Sequence, residues 1–286
     1  MVLYDADKNI IGERLFFAAL ILGIAGLAAF WFMIKTTEIR VKTDVKVSEQ
    51  KFNLLASIGD FMKNRAALGA TLQPVAMFIG TYGAATATQV MFQTYFEMPS
   101  LSGLMSMVSY IPMFIFMPFT RKMTEKFGKK EASSFGLMFS VIACVLMVVL
   151  PITPDMNGII LYIALQLFNG FGMGASMCVG NAMMADAIDY NEWKNGKREE
   201  GTTYAIHSFF RKLAQGLGPS VGLVLMVSVG YEAELGAAQL EGVPANIRLL
   251  VAAMYLVSAV LMFVALKWVY NLDKKTLEQM NKDLGR

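Results

Sequence analysis

The segment NAMMADAIDYNEWKNGKREEGTTYAIHSFFRK, residues 181–212, leaves one apolar run, crosses a dense series of charged residues and enters a second apolar run. Charged side chains are costly inside a lipid bilayer, so those that stand within or beside apolar helices mark functional sites by default. The segment therefore predicts a membrane protein whose polar chemistry is concentrated at the junction of two consecutive helices.

The composition favours a membrane protein over a soluble domain. Hydrophobic residues make up 56% of the chain and charged residues 16%, whereas soluble domains have about 25% charged residues. The mean hydropathy is +0.50. The net charge of +3 is small, so it gives no general attraction for nucleic acid, and no nucleic-acid partner is expected.

The sequence offers no pattern typical of a metal centre or an enzyme. Cys144 and Cys178 fall inside apolar runs without a CxxC pattern, so both are predicted to be reduced packing residues. His207 is the single histidine, which argues against a histidine-based metal site. His207 and Lys212 stand five residues apart, a spacing that provides no nucleophile–base pair. We therefore expect neither a catalytic site nor a cofactor.

Seven apolar runs have the length of bilayer-spanning helices, about 20 residues. They cover roughly 15–34, 70–96, 101–120, 132–150, 158–184, 202–229 and 248–269. The connections between them alternate in charge, because Arg121–Lys130 holds five Lys or Arg residues whereas 97–100, 151–157 and 230–246 hold none. Basic connections mark the cytoplasmic side. The pattern predicts an external N-terminus and a cytoplasmic C-terminus.

The connection 35–65 is the longest and is predicted to separate two halves of the chain. Its second part places Phe52, Leu55, Ile58 and Met62 at helical spacing with polar residues between them. This pattern suits an amphipathic helix at the membrane interface, and it is equally compatible with a plain linker.

Small residues are frequent inside the second and fifth apolar runs, and such residues let helix backbones approach closely in lipid. They are Gly80, Gly83, Ala84, Ala85 and Ala87 in the second run, and Gly170, Gly172, Gly174, Ala175 and Ser176 in the fifth. Close helix–helix contacts are predicted at both places.

Lys212 is predicted to lie inside the membrane. It follows Gly201 by eleven residues, about 16 Å along a helix, near the middle of a hydrocarbon core about 30 Å thick. Ser208 shares its helix face, His207 lies about one turn nearer the cytoplasm, and Arg211 points about 100° away. These side chains suit the hydroxyls or carboxylate of a glycoside.

Each of these cationic or titratable residues has an alternative role. Lys212 also fits a structural ion pair between helix bundles, and His207 also fits a packing histidine. Arg211 also fits a partner carboxylate on another helix, or lipid headgroups at the membrane surface.

A charged group at the cytoplasmic ends of the fifth and sixth runs is predicted to act as a gate. Its members are Asp186, Asp189, Glu192, Arg198 and Glu200. Ion pairs among them would close the inner mouth and break on opening, each exposed pair contributing up to about 1 kcal/mol. A solvated loop that only sets the topology is the alternative.

Residues Ala185 to Gly201 follow the pattern A-D-x-x-D-Y-x-E-W-K-x-G-x-R-x-E-G. This resembles the signature before the eleventh helix of the glycoside–pentoside–hexuronide:cation symporters. Ser208–Gly218 is similar to that family's eleventh helix, Lys126–Lys130 to the loop between its eighth and ninth helices, and Asp60–Arg65 to the approach to its seventh. The similarity extends from about residue 50 to the end of the chain.

The resemblance implies an all-α, polytopic membrane protein with a major-facilitator fold, in which two six-helix bundles hold the substrate between them. The seven helices of this chain would be the sixth helix, within 1–34, and the C-terminal bundle, 66–270. A cytoplasmic linker, 35–65, and a cytoplasmic tail, 271–286, complete it. The first five helices have no counterpart here, and in that family they hold the carboxylates that bind the coupling cation. The missing N-terminal bundle is thus an expected partner, with the cation site outside this chain.

The function implied by the resemblance is secondary active transport of a sugar or glycoside, coupled to Na⁺ or H⁺, in the plasma (inner) membrane. In that family the lysine at the position of Lys212 lines the sugar site, and Met177 stands where an aromatic side chain forms a platform for the sugar. With His207, Ser208 and Arg211 they make up the predicted substrate site. The expected partners are the substrate and membrane lipids.

Two other functions stay open. Seven helices with an external N-terminus also suit a receptor or scaffold that transports nothing. A transporter of lipid-like substrates with the same fold is the other alternative.

Overall fold

The computed structural model describes residues 12–38, 54–108, 111–196 and 198–285. The helices are α1 Gly12–Thr36, α2 Leu54–Lys63, α3 Arg65–Thr94, α4 Ser100–Val108, α5 Ile111–Phe127, α6 Lys129–Val149, α7 Met156–Asn195, α8 Glu200–Ser228, α9 Val243–Val264 and α10 Lys274–Asp283. A 3₁₀ turn covers Ala233–Leu235, and α9 continues into a π-helical turn, Ala265–Val269. None of the described residues is in a β-strand. The all-α fold class is confirmed.

Within the described ranges, five helices have both the length and the hydropathy needed to cross a bilayer. These segments are Phe16–Thr36, Arg65–Thr94, Lys129–Val149, Met156–Asn195 and Val243–Val269. The sixth predicted run forms α8, which is 29 residues long but carries His207, Arg211 and Lys212 in its first half. The polar residues explain why α8 is less apolar than the other long helices.

The third predicted run, 101–120, contains α4, which is described to Val108, and the first part of α5, which is described from Ile111. Residues 109 and 110 lie outside the described residues. A single span over 101–120 therefore stays a prediction.

The fifth predicted run continues beyond residue 184 to Asn195, so α7 is 40 residues long. Ala187 and Ile188 are buried, which gives the charged end of the helix an apolar side that packs on its neighbours. Gly196 ends the helix in the left-handed region with φ of 64°, a conformation that glycine adopts without strain.

The chain divides into two compact units, Met1–Phe52 and Asn53–Arg286. The first unit holds α1, whose apolar residues give it a mean hydropathy of 2.4 over Phe16–Thr36. A helix that is apolar on all sides is typical of a membrane span.

α2 lies in the second half of the predicted linker and belongs to the second unit. Phe61 is buried and Ile58 half-buried, whereas Leu55 and Met62 are exposed. Phe52 lies outside the described residues. A helix is therefore present, and its location at the membrane interface stays a prediction.

In the second unit, α3 is the central helix and packs against α7, α8 and α9. α6 packs against α7 and α9, and α5 packs against α7. The glycine-rich contacts that were predicted are confirmed. A Cβ atom at Gly222 of α8 would lie 2.5 Å from the carbonyl oxygen of Gly83 of α3, and one at Gly172 of α7 would lie 2.6 Å from that of Gly136 of α6. The two helix pairs touch through their backbones.

The described part of the predicted tail, 271–285, packs against the ends of α5 and α7. Lys274 donates a hydrogen bond of 2.7 Å to the carbonyl oxygen of Glu125 near the end of α5. Trp193 at the end of α7 donates one of 2.9 Å to the Asp283 carboxylate. α10 thus joins the ends of α5 and α7.

Candidate functional site

Three cavities follow one side of α3, and we name them for the predicted topology. The inner cavity, about 160 Å³, is lined among others by Gln73, Ser176, Met177, Asn181, His207 and Arg211. The middle cavity, about 250 Å³, is lined among others by Thr81, Tyr82, Gln166, Asn169, Met177 and Tyr255. The outer cavity, about 40 Å³, includes Thr88, Gln89, Ser102 and Tyr162. Met177 lines the first two, and Gln166 and Tyr255 line the last two, so the cavities form a continuous row.

A chain of buried polar side chains runs beside the middle cavity. Ser140 donates a hydrogen bond to the amide oxygen of Asn169. Asn169 donates to Gln166 at 3.0 Å, and Gln166 donates to the Tyr162 hydroxyl at 3.2 Å. The Thr88 hydroxyl lies 3.4 Å from that of Tyr162. These bonds fix the orientation of both amides.

Gln166 and Asn169 were missed by the sequence analysis, which followed charged residues. Their side chains are only 4% and 3% exposed, in the middle of a helix whose neighbours are mostly apolar. Polar residues in such positions mark functional sites by default. Isolated amide residues within an apolar run were therefore the sequence signal by which Gln166 and Asn169 could have been identified.

Three buried polar atoms at these cavities have no hydrogen-bond partner among the described residues. They are the Thr81 hydroxyl oxygen at the middle cavity, and the Ser176 hydroxyl oxygen and Arg211 Nε at the inner cavity. Buried polar atoms are almost always hydrogen-bonded in native proteins. Their positions indicate a polar partner from outside these helices.

The structure brings together three of the five predicted substrate residues. His207, Arg211 and Met177 all line the inner cavity. His207 is 3% exposed, and its Nδ1 lies 2.9 Å from the Thr71 hydroxyl of α3. This bond also fits a packing histidine, so both interpretations of His207 stand.

Lys212 and Ser208 do not line any of the three cavities. Lys212 is exposed, Ser208 half-buried, and Lys212 lies on the side of α8 roughly opposite the buried residues His207 and Ala214. Within the described ranges, no ion pair involves Lys212.

The depth of Lys212 in the membrane stays a prediction. α7 has 40 residues, about 60 Å of helix, twice the thickness of a hydrocarbon core of about 30 Å. Part of α7 therefore extends beyond such a core, so the count from Gly201 gives the position of Lys212 along α8 and not its depth.

Four of the five predicted gate residues form one cluster around Arg198. Its guanidinium lies 2.6 Å from the carboxylates of Asp189 and Glu192 and donates a bond of 2.6 Å to Glu200. The hydrogen bond to Glu192 is the main cause that raises the pKa of Arg198. Asp189 and Glu192 lie near the end of α7, Arg198 lies in the connection and Glu200 begins α8, so this cluster stabilises the connection between these two helices.

Asp186 is separate from that cluster. Its carboxylate lies 2.7 Å from Lys129 at the start of α6, and its side chain is only 15% exposed. Asp186 therefore joins α7 to α6. Whether any of these pairs breaks during transport stays a prediction.

No group of three or more His, Cys, Asp or Glu among the described residues could hold a metal ion. Cys144 and Cys178 are free thiols. Cys144 is buried and lies 3.5 Å from the amide oxygen of Asn169, so it packs beside the polar chain.

The chain matches the family described as MFS/sugar transport protein over residues 6–274. It is 28% identical over 264 residues to the uncharacterized symporter YjmB of Bacillus subtilis, covering 91% of this chain and 55% of that protein. It is 27% identical over 263 residues to a putative 2,3-dihydroxypropane-1-sulfonate exporter of Escherichia coli, covering 91% and 55%. With the glucuronide carrier protein homolog of Escherichia coli it shares 25% over 268 residues, covering 92% and 56%. The chain spans about half the length of these curated relatives.

Proposed function

Because the chain belongs to the MFS/sugar transport protein family, we propose that it works in secondary active transport of a sugar or glycoside, coupled to Na⁺ or H⁺. It is a multi-pass membrane protein of a family of transporters, not of enzymes. The observation that carries the proposal is the middle cavity with its two fixed amides. An amide group both donates and accepts hydrogen bonds, as the hydroxyl groups of a sugar do, so Gln166 and Asn169 match such a ligand.

The middle cavity also offers an aromatic surface. The rings of Phe78 and Tyr82 lie 5.1 Å apart in an edge-to-face arrangement, and both residues line the cavity together with Met177. Aromatic faces provide a large apolar contact area. We propose that these two rings supply the platform for the apolar face of the sugar, with Met177 beside them.

The predicted substrate residues fall into two groups in this proposal. His207 and Arg211 contact the substrate in the inner cavity. Ser208 and Lys212 contact it from the other side of α8, which in the complete transporter faces the second bundle. The charged cluster of Arg198 and the Asp186–Lys129 pair act at the inner mouth.

We further propose that this chain supplies the sixth helix, the linker and the C-terminal bundle, with the cation site in a separate N-terminal bundle. Two observations support this proposal. The chain spans 55% of the relatives YjmB and the sulfonate exporter. Among the described residues that line the three cavities, none is an Asp or Glu, whereas the family resemblance implies carboxylates at the cation site.

Replacing Gln166 by Leu tests the sugar site, because it keeps the approximate volume and removes the amide. We expect sugar binding to weaken about 2- to 12-fold, the equivalent of about 0.5–1.5 kcal/mol for one hydrogen bond. The affinity is measured with the chain in nanodiscs and a panel of glycosides at millimolar concentration. Thermal shift reports binding to the folded fraction.

The matched control is Gln279→Leu on α10, which makes the same chemical change on an exposed surface. It should bind sugars as the unchanged chain does. Equal affinities of the Gln166→Leu and unchanged proteins would remove Gln166 from the site, and a chain that binds no glycoside would contradict the proposed function.

Reconstitution into liposomes tests whether the chain works alone. With an imposed Na⁺ or H⁺ gradient and a radiolabelled glycoside, we expect little uptake, because the second half of the cavity and the cation carboxylates lie elsewhere. Robust gradient-driven uptake by this chain would disprove the missing-bundle proposal and would itself support a transport function.

A further inference from the structure

We propose that the inner cavity is an anion subsite, and that the transported molecule is a sugar acid whose carboxylate or sulfonate group binds Arg211. This inference rests on the proposed function and specifies its substrate class. It follows from the charge, the unpaired atoms and the arrangement of the inner and middle cavities.

Arg211 is a cation without a partner in the described part of the chain. No ion pair involves it, and its Nε is buried without a hydrogen bond. The residue as a whole is half-buried, and a buried donor without a partner is unfavourable, more so on a charged group. An anion bound in the inner cavity would supply that partner.

The surroundings of Arg211 favour an anion from the substrate. Among the described residues that line the inner, middle and outer cavities, Arg211 is the only charged one. A cleft lined by charge of one sign concentrates ligands of the opposite sign. The row of cavities therefore attracts anions and disfavours cations.

The residues around Arg211 provide further hydrogen-bond donors. The Ser176 hydroxyl is buried without a partner, and the side chain of Ser176 is 2% exposed. The amides of Gln73 and Asn181 also line the inner cavity. A guanidinium presents its N–H groups in a planar fork that matches two oxygens of a carboxylate or sulfonate, and the hydroxyl and amides can serve the remaining oxygen lone pairs.

The adjoining middle cavity fixes the orientation of such a ligand. Gln166 and Asn169 lie there, and Met177 lines both cavities. The anionic group would occupy the inner cavity and the hydroxyl-bearing ring the middle cavity. A molecule that is charged at one end and hydroxylated along the rest fits this division.

Three ligands that share the glucose ring and differ in one substituent test whether the inner cavity binds an anionic group. The 286-residue chain in nanodiscs is titrated with D-glucuronate, 6-deoxy-6-sulfo-D-glucose and D-glucose at millimolar concentrations, with thermal shift and calorimetry as readouts. We expect at least one of the two anions to bind tenfold or more tightly than glucose. The ratio between the two anions tells a carboxylate substrate from a sulfonate substrate.

Two variants of Arg211 assign the preference to its guanidinium. Arg211→Gln should bind the anions no better than it binds glucose. Arg211→Lys keeps the charge but loses the fork, so it should retain only part of the preference. The control Lys275→Gln removes a cation from an exposed position of α10 and should retain all of it.

The following results would overturn the inference. An anion preference that survives in Arg211→Gln, or its loss in Lys275→Gln, would show that Arg211 is not the ligand. Equal binding of glucose and both anions by the unchanged chain would reject the anionic substrate while leaving the sugar transporter in place. A drop in folded yield of Arg211→Gln without a change in preference would assign Arg211 to a carboxylate of the protein. Failure of all three sugars to bind would reject the proposed function as well.

Discussion

Replacing Gly222 by Ala is expected to lower the free energy of unfolding by about 1–3 kcal/mol, the usual cost of forcing an extra methyl group into a packed interior. The new Cβ would lie 2.5 Å from the carbonyl oxygen of Gly83 and 2.9 Å from its Cα. Both are backbone atoms of α3, so neither can move unless the whole helix moves. α3 and α8 would have to separate.

Gly216 of the same helix provides the control, because a Cβ there would have no atom within 4 Å. Gly216→Ala should be neutral or stabilising by up to about 1 kcal/mol, since alanine has the higher helix propensity. Thermal unfolding and folded yield of the two variants in detergent measure the difference. If Gly222→Ala is as stable as Gly216→Ala, the close contact of α3 and α8 is wrong.

Lys212→Ala is expected to weaken substrate binding in the complete transporter more than tenfold, about 1.4 kcal/mol. Lys212 is exposed on this chain beside Ser208 and has no ion-pair partner among the described residues. The family resemblance places a lysine of the sugar site at this position. Expression and membrane insertion should stay near normal. Lys212→Arg should restore little, because a planar fork replaces a compact ammonium.

Measuring both yield and affinity distinguishes the possible roles of Lys212. A structural ion pair would lower the yield of folded protein and leave the affinity of the surviving fraction unchanged. A lysine that reaches lipid headgroups would change neither quantity. Either result removes Lys212 from the substrate site, and Lys282→Ala on the exposed part of α10 controls for the loss of a positive charge.

The all-α membrane class and the family could be predicted from the sequence, because both depend on local features. Apolar runs of sufficient length predicted the helices, and the motif from Ala185 to Gly201 indicated the family. Hydropathy could not show that α7 continues to Asn195, because the charged residues of its last turns lower the hydropathy there while the backbone stays helical.

The candidate site could be predicted only in part. Helical spacing correctly placed Arg211 and Lys212 on different sides of α8, since consecutive residues are about 100° apart. The side of α8 that packs against α3 depends on the glycines that let the two backbones touch. This tertiary contact explains why Arg211 lines the inner cavity whereas Lys212 is exposed. The contact of Thr88 on α3 with Tyr162 on α7 likewise joins residues that are distant in sequence, whereas Gln166 binds Tyr162 and Asn169 within α7.

The hydrogen bonds of α10 and of Arg65 join helix ends that are distant in sequence. Lys274 binds the end of α5, Trp193 binds Asp283, and Arg65 of α3 donates a bond of 2.7 Å to the carbonyl oxygen of Trp268 after α9. The ends of α5, α7 and α10 thus form one linked group, and the ends of α3 and α9 form another. Displacing one helix end strains its hydrogen bonds to the others, so we expect the members of each group to move together.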